Sequence, residues 1–409
     1  MAEKNLYIGV DLNDKYALLS YFTETMTEPE TVSTIAGSEI YQIPLSLYKK
    51  KGIGQWYFGQ DAKNMAKAEG GACIDDLYRR AYETEKIEIE EKFYDTKDLL
   101  AVFFRKILML PRRLTGEMKI ASLGITVSDL NAKTTEMLRE VMKKIGIEKE
   151  QFFMIDYKES FYYYALNQDK ELWGHDVALF SYEEESLKEY YLHRNENTTP
   201  QMIDLIEEDY GKLNGDRDLE FTSIIKKAFM GKIVSSIFLV GAGFEGDWMK
   251  QSIQMLCRGR RAFLGKNLYS KGVCYAACVK AGIIPWEFVY IGDNKLQFNV
   301  SLKVRDGEKV AFYSLLSAGD SCYEETAECE VILDDTPRID FWLQYPKSRE
   351  AKIESLELTN LPKRENKTTR LRILLKPLSE EEVEVQIKDL GFGELYKSSD
   401  QVWKYRLRM

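Results

Sequence analysis

Leu6-Tyr7-Ile8-Gly9-Val10-Asp11-Leu12-Asn13 is an apolar run that ends on a carboxylate and a turn former. It reads as a buried strand, because a strand covered on both faces is near-continuously apolar rather than alternating. Asn13-Asp14 is a tight-turn pair, and Tyr16 to Phe22 reads as the return strand of a hairpin.

Working outward, Gln55 to Gly59 has strand character and Asp61 to Ala68 reads as helix. Thr96 to Leu108 shows helical spacing, with Thr96 as expected N-cap and Pro111 as stop. Ile120 to Val127 is a further strand, followed by an amphipathic helix over Asn131 to Lys144 with Gly146 just past its end. Phe152 to Ile155 reads as strand and Lys158 to Asn167 as helix. Asp176 to Phe180 and Lys188 to Leu192 form a second hairpin, and residues 194 to 218 read as polar and helical in part. Helices come next at Leu219 to Met230, Asp247 to Cys257 and Tyr269 to Ala281, with a buried strand at Ile237 to Val240. This alternation predicts α/β layers.

The pattern changes after Pro285. Short alternating segments recur at Leu296 to Leu302, Lys309 to Phe312, Glu328 to Leu333, Arg338 to Leu343, Ile353 to Leu358, Thr369 to Leu375, Glu382 to Ile387 and Val402 to Leu407. Turn residues separate them, which predicts a β-sandwich.

Composition narrows the function classes. A chain of 409 residues predicts more than one domain. Its net charge of −9 argues against nucleic acid, because phosphate contacts need excess Lys and Arg. No run of about 18 apolar residues occurs, so no membrane span is expected. The N-terminus has no signal-like apolar segment, which leads to the expectation of a cytoplasmic protein. The 6 cysteines are scattered, and Cys274 and Cys278 fall on one helix face as reduced core thiols. Only 2 histidines occur, His175 and His193, so neither a His-based hydrolase nor a His-rich metal site is supported. No metal ligand set is expected.

The order of segments resembles the actin, sugar-kinase and heat-shock chaperone superfamily, and DnaK-type chaperones most. Gly9-Val-Asp-Leu-Asn13 resembles the first phosphate loop, and Phe58-Gly-Gln-Asp-Ala-Lys63 is similar to the short segment after it. Leu123-Gly-Ile-Thr-Val127 with the helix from Asn131 resembles the unit before the first connecting helix, which falls at Glu159 to Leu166. Val177 to Phe180, with the turn after it, occupies the position of the second phosphate loop. Ile237-Phe-Leu-Val-Gly-Ala-Gly243 resembles the adenosine loop, and Lys271 to Ala277 the second connecting helix. Glu357 to Pro362, Arg370 to Leu375 and Val383 to Asp389 resemble the peptide-binding β-sandwich of those chaperones.

The resemblance implies an α/β actin-like ATPase fold of two ribonuclease H-like lobes followed by an all-β sandwich. The expected boundaries are 1–285, with lobes of about 1–170 and 171–285, then 286–409. The nucleotide-covering subdomain is expected to be much reduced, and no helical lid is expected after the sandwich. If active, Asp11 and Glu159 would be catalytic. Gly9, Asn13, Ser186, Gly241 and Gly243 would then touch ATP or ADP with Mg²⁺.

The phosphate chemistry departs from the family. Its metal-binding Asp reads Ser181, its second-loop glycines read Glu183, Glu184 and Glu185, and its Lys falls near Leu77 or Tyr78, with Arg79 and Arg80 as the nearby cations. Glycines let backbone N–H groups approach phosphate, whereas glutamates bring bulk and charge. One carboxylate about 4 Å from a phosphate charge costs on the order of 4 kcal/mol at an effective dielectric near 20. Plain structural readings stand beside the functional ones: Asp11 as a turn cap, Glu159 as a helix N-terminal acid, Glu183 to Glu185 as a solvated hairpin tip. The expectation is a DnaK-like binding or scaffold protein with a degenerate nucleotide site and an extended peptide or protein partner at the β-sandwich. The alternative is an active Mg-ATP-dependent chaperone-like ATPase, and a small-molecule kinase of the same superfamily comes third.

Overall fold

The computed structural model describes residues 5–409 except 36, 53, 84–85, 117, 184, 308 and 335. The chain divides into two compact units, Met1–Arg194 with Ile203–Glu287, and Asn195–Met202 with Phe288–Met409.

Two sheets form the body of the first unit. In one, the strand Asn5–Leu12 pairs antiparallel with Tyr16–Phe22, which pairs with Glu30–Thr31. On its other side it runs parallel to Lys119–Val127, which runs parallel to Phe152–Asp156. In the other sheet, Asp176–Glu183 pairs antiparallel with Ser186–Asn195, next to Gln201–Gly211. On its other side it runs parallel to Val234–Val240, which runs parallel to Arg261–Leu264. Numbered by appearance within each lobe, and counting only the strands just named, both sheets have the order fifth, fourth, first, second, third. The first strand is buried from Leu6 through Leu12, as its apolar run requires.

The crossovers are helices set by local signals. Asn131 caps the helix Ala132–Lys144 by accepting from the Thr134 amide at 2.9 Å, and that helix buries Met137, Leu138, Val141 and Met142. Asp216 caps Arg217–Ala228 in the same way. After each fifth strand comes a helix that crosses to the other lobe. Tyr157–Leu166, capped by Asp156, sets Phe161 and Tyr164 edge-on to Phe238 of the second sheet. Leu268–Lys280 lies on the first sheet, where a Cβ on Gly9 would meet the Cys274 amide at 2.4 Å. The two helices touch where Ser160 Oγ donates to the Tyr269 carbonyl at 2.6 Å. A Cβ on Gly272 would sit 2.1 Å from the Ser160 carbonyl oxygen, so only glycine fits there.

Several local expectations need correction. The helix begins at Thr96, and its cap is Asp95, whose carboxylate accepts from the Lys97 amide. Pro111 does not end helical structure; it lies in the first turn of a second helix, Met109–Thr115, where the missing N–H costs nothing. Residues 201–211 form a strand rather than helix. The helix expected over Asp247 to Cys257 shortens to Gln251–Leu256, and Arg261–Leu264 is a strand that no sequence pattern marks.

In the second unit, one sheet has the order Lys309–Leu316, Asn299–Asp306, Arg338–Gln344, Lys352–Glu357. The other has the order Ala327–Ile332, Arg370–Ser379, Glu382–Gly391, Val402–Arg408. Burial alternates strictly along Arg338–Gln344 and Glu382–Gly391. The inward rows, with Leu302, Phe341 and Leu343 from one sheet and Ile373, Val385 and Ile387 from the other, share one core. Among the described residues no helix is long and apolar enough to cross a membrane.

Candidate functional site

Asp11 lies one residue before the end of the first strand of the first lobe, and Ser181 lies toward the end of the equivalent strand of the second. Two tyrosines close the space between them. Tyr157 opens the helix after the fifth strand of its lobe, and its hydroxyl donates to Asp11 Oδ1 at 2.7 Å. Tyr269 stands one residue into the equivalent helix; burial holds its hydroxyl well above the usual range, against the opposing pull of the neighbouring Ser181 side chain. The two rings stack with centroids 4.1 Å apart and planes 7° from parallel. The result is a pseudo-symmetric arrangement of Asp11, Tyr157, Tyr269 and Ser181, in which each lobe supplies one strand residue and one helix tyrosine.

The electrostatics come from burial. Asp11 is 6% exposed, and desolvation lifts its carboxyl from 3.8 to about 7 against the opposing pull of the Tyr157 hydroxyl; the Glu183 charge adds to the rise. Burial and the Asp11 charge hold the Tyr157 hydroxyl well above its usual range. Tyr16, in the turn beside Asp11, is raised to about 12 by burial and then by Asp11 and Glu183.

The other sequence-derived site residues take structural partners. Gly9 is filled by the Leu268–Lys280 helix. Asn13 Oδ1 accepts from the Lys15 and Tyr16 amides, both at 2.9 Å, and so builds the hairpin turn. Glu159 is 4% exposed in the first turn of its helix, its amide bonded to Asp156, and its charge acts on Tyr163 and Tyr162. Glu183 pairs with Ser186 across a two-residue turn in which Glu185 has φ +68° and ion-pairs with Lys212. Glu184 lies outside the described residues. Ser186 Oγ pairs with Asp209 at 3.2 Å. Arg79 pairs with Asp76 at 2.6 Å, and Arg80 donates to the Asp75 carbonyl.

The turn at Gly241 to Gly243 is lined by the chain itself. A Cβ on Gly241 would lie 2.4 Å from the Tyr182 carbonyl, and one on Gly243 would lie 2.4 Å from the Tyr182 ring. The Gly243 carbonyl accepts from Arg217 at 2.5 Å and from the Trp248 indole at 3.1 Å. Arg217 lies over the rings of Tyr182 and Trp248, 5.3 and 4.4 Å from their centroids. Glycine freedom here admits aromatic side chains of the protein.

These residues do not fit a triphosphate and its ion. The strand-end carboxylate is bonded to tyrosine, the second hairpin carries acids, and the Gly241 turn is packed by Tyr182. The structure brings Asp11, Glu183 and the Gly241 turn into one region. Sequence reasoning missed Tyr157, Tyr269, Arg217 and Trp248. The available signal was an aromatic residue at nearly the same offset into each helix that comes after a fifth strand.

With the geometry in hand, comparison with known proteins places the chain. Residues 28–293 match the family described as "Family of unknown function (DUF5716) C-terminal", and the chain belongs to that family. Residues 295–409 match a second description, "Domain of unknown function (DUF8552)". A search of curated proteins finds no match.

Proposed function

We propose that the chain is a non-catalytic binding or scaffold protein on an actin-like, DnaK-related frame, its nucleotide cleft replaced by an internal tyrosine seam. The repeated strand order and the two crossing helices support the ancestry. One observation carries the function: Tyr157 and Tyr269 stack between Asp11 and Ser181, where phosphate oxygens would need open backbone. Binding then falls to the second unit. Its edge strand Lys309–Leu316 exposes Lys309 through Ser314, including Val310, Phe312 and Tyr313, and an extended segment can add to such an edge by main-chain hydrogen bonds.

The test is a thermal-shift titration of the full chain with Mg-ATP, paired with a phosphate-release assay. The expected result is an unchanged midpoint and no release above buffer. A saturable rise in midpoint would revive the nucleotide site, and turnover that Asp11→Ala abolishes would establish the active-ATPase reading instead.

A further inference from the structure

From Phe221 to Trp286 the chain carries ten Lys and Arg against two acids, Glu245 and Asp247, in a protein of net charge −9. Two loops of this stretch meet. The helix Arg217–Ala228 ends in the turn Phe229-Met230-Gly231-Lys232-Ile233, which leads into the strand Val234–Val240. Residues 257–260 lead into the strand Arg261–Leu264. The two strands are parallel neighbours, so both loops lie at the end where the strands begin. Arg260 stands over the Phe229 ring, 4.6 Å from its centroid, which brings the loops into contact. The tyrosine seam lies at the other end of this sheet, because Val234 pairs with Asp176 and Val240 with Ser181.

The turn is tight and its summit is apolar. Gly231 has φ +74°, and the Lys232 amide donates to the Phe229 carbonyl at 3.2 Å. Met230 is 80% exposed and Ile233 67%. Lys226 and Lys227 stand one helical turn before Met230, and both are exposed, as is Arg258 on the neighbouring loop. Two cations here are already answered: Lys232 lies over the Tyr191 ring at 3.9 Å and its charge acts on Glu189, and Arg261 pairs with Glu171 at 3.0 Å. The nearby acids also bond elsewhere, Asp176 to the Tyr191 hydroxyl and Glu189 to that of Tyr210. Among the described residues no carboxylate pairs with Lys226, Lys227, Arg258 or Arg260. Glu184 lies outside the described residues, and its neighbours Glu183 and Ser186 stand at the opposite end of the sheet. A single exposed apolar side chain is ordinary, but two on one summit ringed by unpaired cations ask for a surface that is both apolar and anionic. A nucleic acid would engage the cations and leave Met230 and Ile233 in water. A bilayer whose outer layer holds acidic lipids takes both.

We propose that this tip docks on an anionic lipid surface, with Met230 and Ile233 entering the headgroup boundary and Lys226, Lys227, Arg258 and Arg260 meeting lipid phosphates. The contact is peripheral, made by side chains that already face solvent. It stands apart from the reading of the nucleotide-type cleft and from the edge strand of the second unit.

Sedimentation of the full chain with phosphatidylcholine vesicles, with and without phosphatidylserine, tests this. Binding is expected only when phosphatidylserine is present, and it should weaken as salt is raised. Lys226→Gln with Lys227→Gln and Arg258→Gln is expected to weaken binding about fivefold per charge removed. Met230→Ser with Ile233→Ser leaves the charge unchanged and is expected to weaken binding to the same vesicles about tenfold or more. All five positions are exposed, and circular dichroism checks that both variants fold. Equal capture by vesicles lacking phosphatidylserine, or undiminished binding in either variant, would overturn the proposal. Soluble poly-glutamate is the control for an acidic protein partner. If it displaces the chain from vesicles and binds Met230→Ser with Ile233→Ser as tightly as the wild type, the tip is a site for acidic polypeptide and the lipid reading falls.

Discussion

Asp389, near the end of the strand Glu382–Gly391, is a fully buried carboxylate with every oxygen engaged. Arg364 donates to both oxygens at 2.8 and 2.7 Å, and the Gly391 and Ser399 amides and the Ser399 hydroxyl complete the set. Burial alone would raise its pKa, but Arg364 and the Ser399 and Gly391 donors hold it well below the usual carboxylate range. A depressed carboxyl contributes stability above its unfolded value, and that contribution is lost as pH falls. Arg364 also bonds the Lys397 carbonyl, so this pair ties the loop after Gly391 to the sandwich. Removing one partner strands a buried charge, which costs more than removing both. Arg364→Met is expected to destabilise the protein by about 3–5 kcal/mol in urea unfolding. Arg364→Met combined with Asp389→Leu is expected to cost less than the single change. A double variant worse than Arg364→Met would show that the pair is a net gain rather than a matched burial.

The two helices that come after the fifth strands carry the next level. Their contact at Gly272 is set by backbone, since a Cβ there would lie 2.1 Å from the Ser160 carbonyl oxygen. Gly272→Ala should raise helix propensity yet destabilise the protein, because the overpacking outweighs the gain. A loss of about 3 kcal/mol is expected by thermal or urea unfolding. Ser160→Ala removes the hydroxyl but not the carbonyl, so it should not rescue Gly272→Ala; rescue would mean that the side chain is the limiting contact. At this scale most of the fold was legible. Strands such as Asn5–Leu12 announce themselves by continuous apolar burial, and those of the second unit by alternation. Gln201–Gly211 was misread because its second half is acidic and only partly buried, leaving little periodicity to see. The cap moved from Thr96 to Asp95 because either residue type can cap, and backbone geometry makes the choice. The site was half legible. Asp11 stood out at the end of its strand, but its partner Tyr157 is 146 residues away, and no local pattern links them.

Across the whole first unit, the seam joins both lobes through one ionisable group. The carboxyl of Asp11 rises from 3.8 in the unfolded chain to about 7 in the fold, chiefly because burial penalises its charged form. Between those values the folded state holds the proton that the unfolded state releases, so stability falls as pH rises from about 4 to about 7. The rise corresponds to about 4 kcal/mol at roughly 1.4 kcal/mol per pH unit. Asp11→Asn keeps the shape and an acceptor for Tyr157 while removing the titration. Urea unfolding should therefore find Asp11→Asn increasingly favoured over the wild type as pH rises through this range. Because Tyr157 and Tyr269 belong to helices that cross between lobes, ionisation of Asp11 should loosen both together. Hydrogen exchange, corrected for intrinsic rates, should be faster at about pH 8 than at about pH 5 in Tyr157–Leu166 and in Leu268–Lys280, and Asp11→Asn should remove that difference. A change confined to one helix would mean that the stacked rings do not couple the lobes. A wild type more stable at neutral pH than Asp11→Asn would mean that the carboxylate is stabilised in place, the condition a bound cation at this strand end would require.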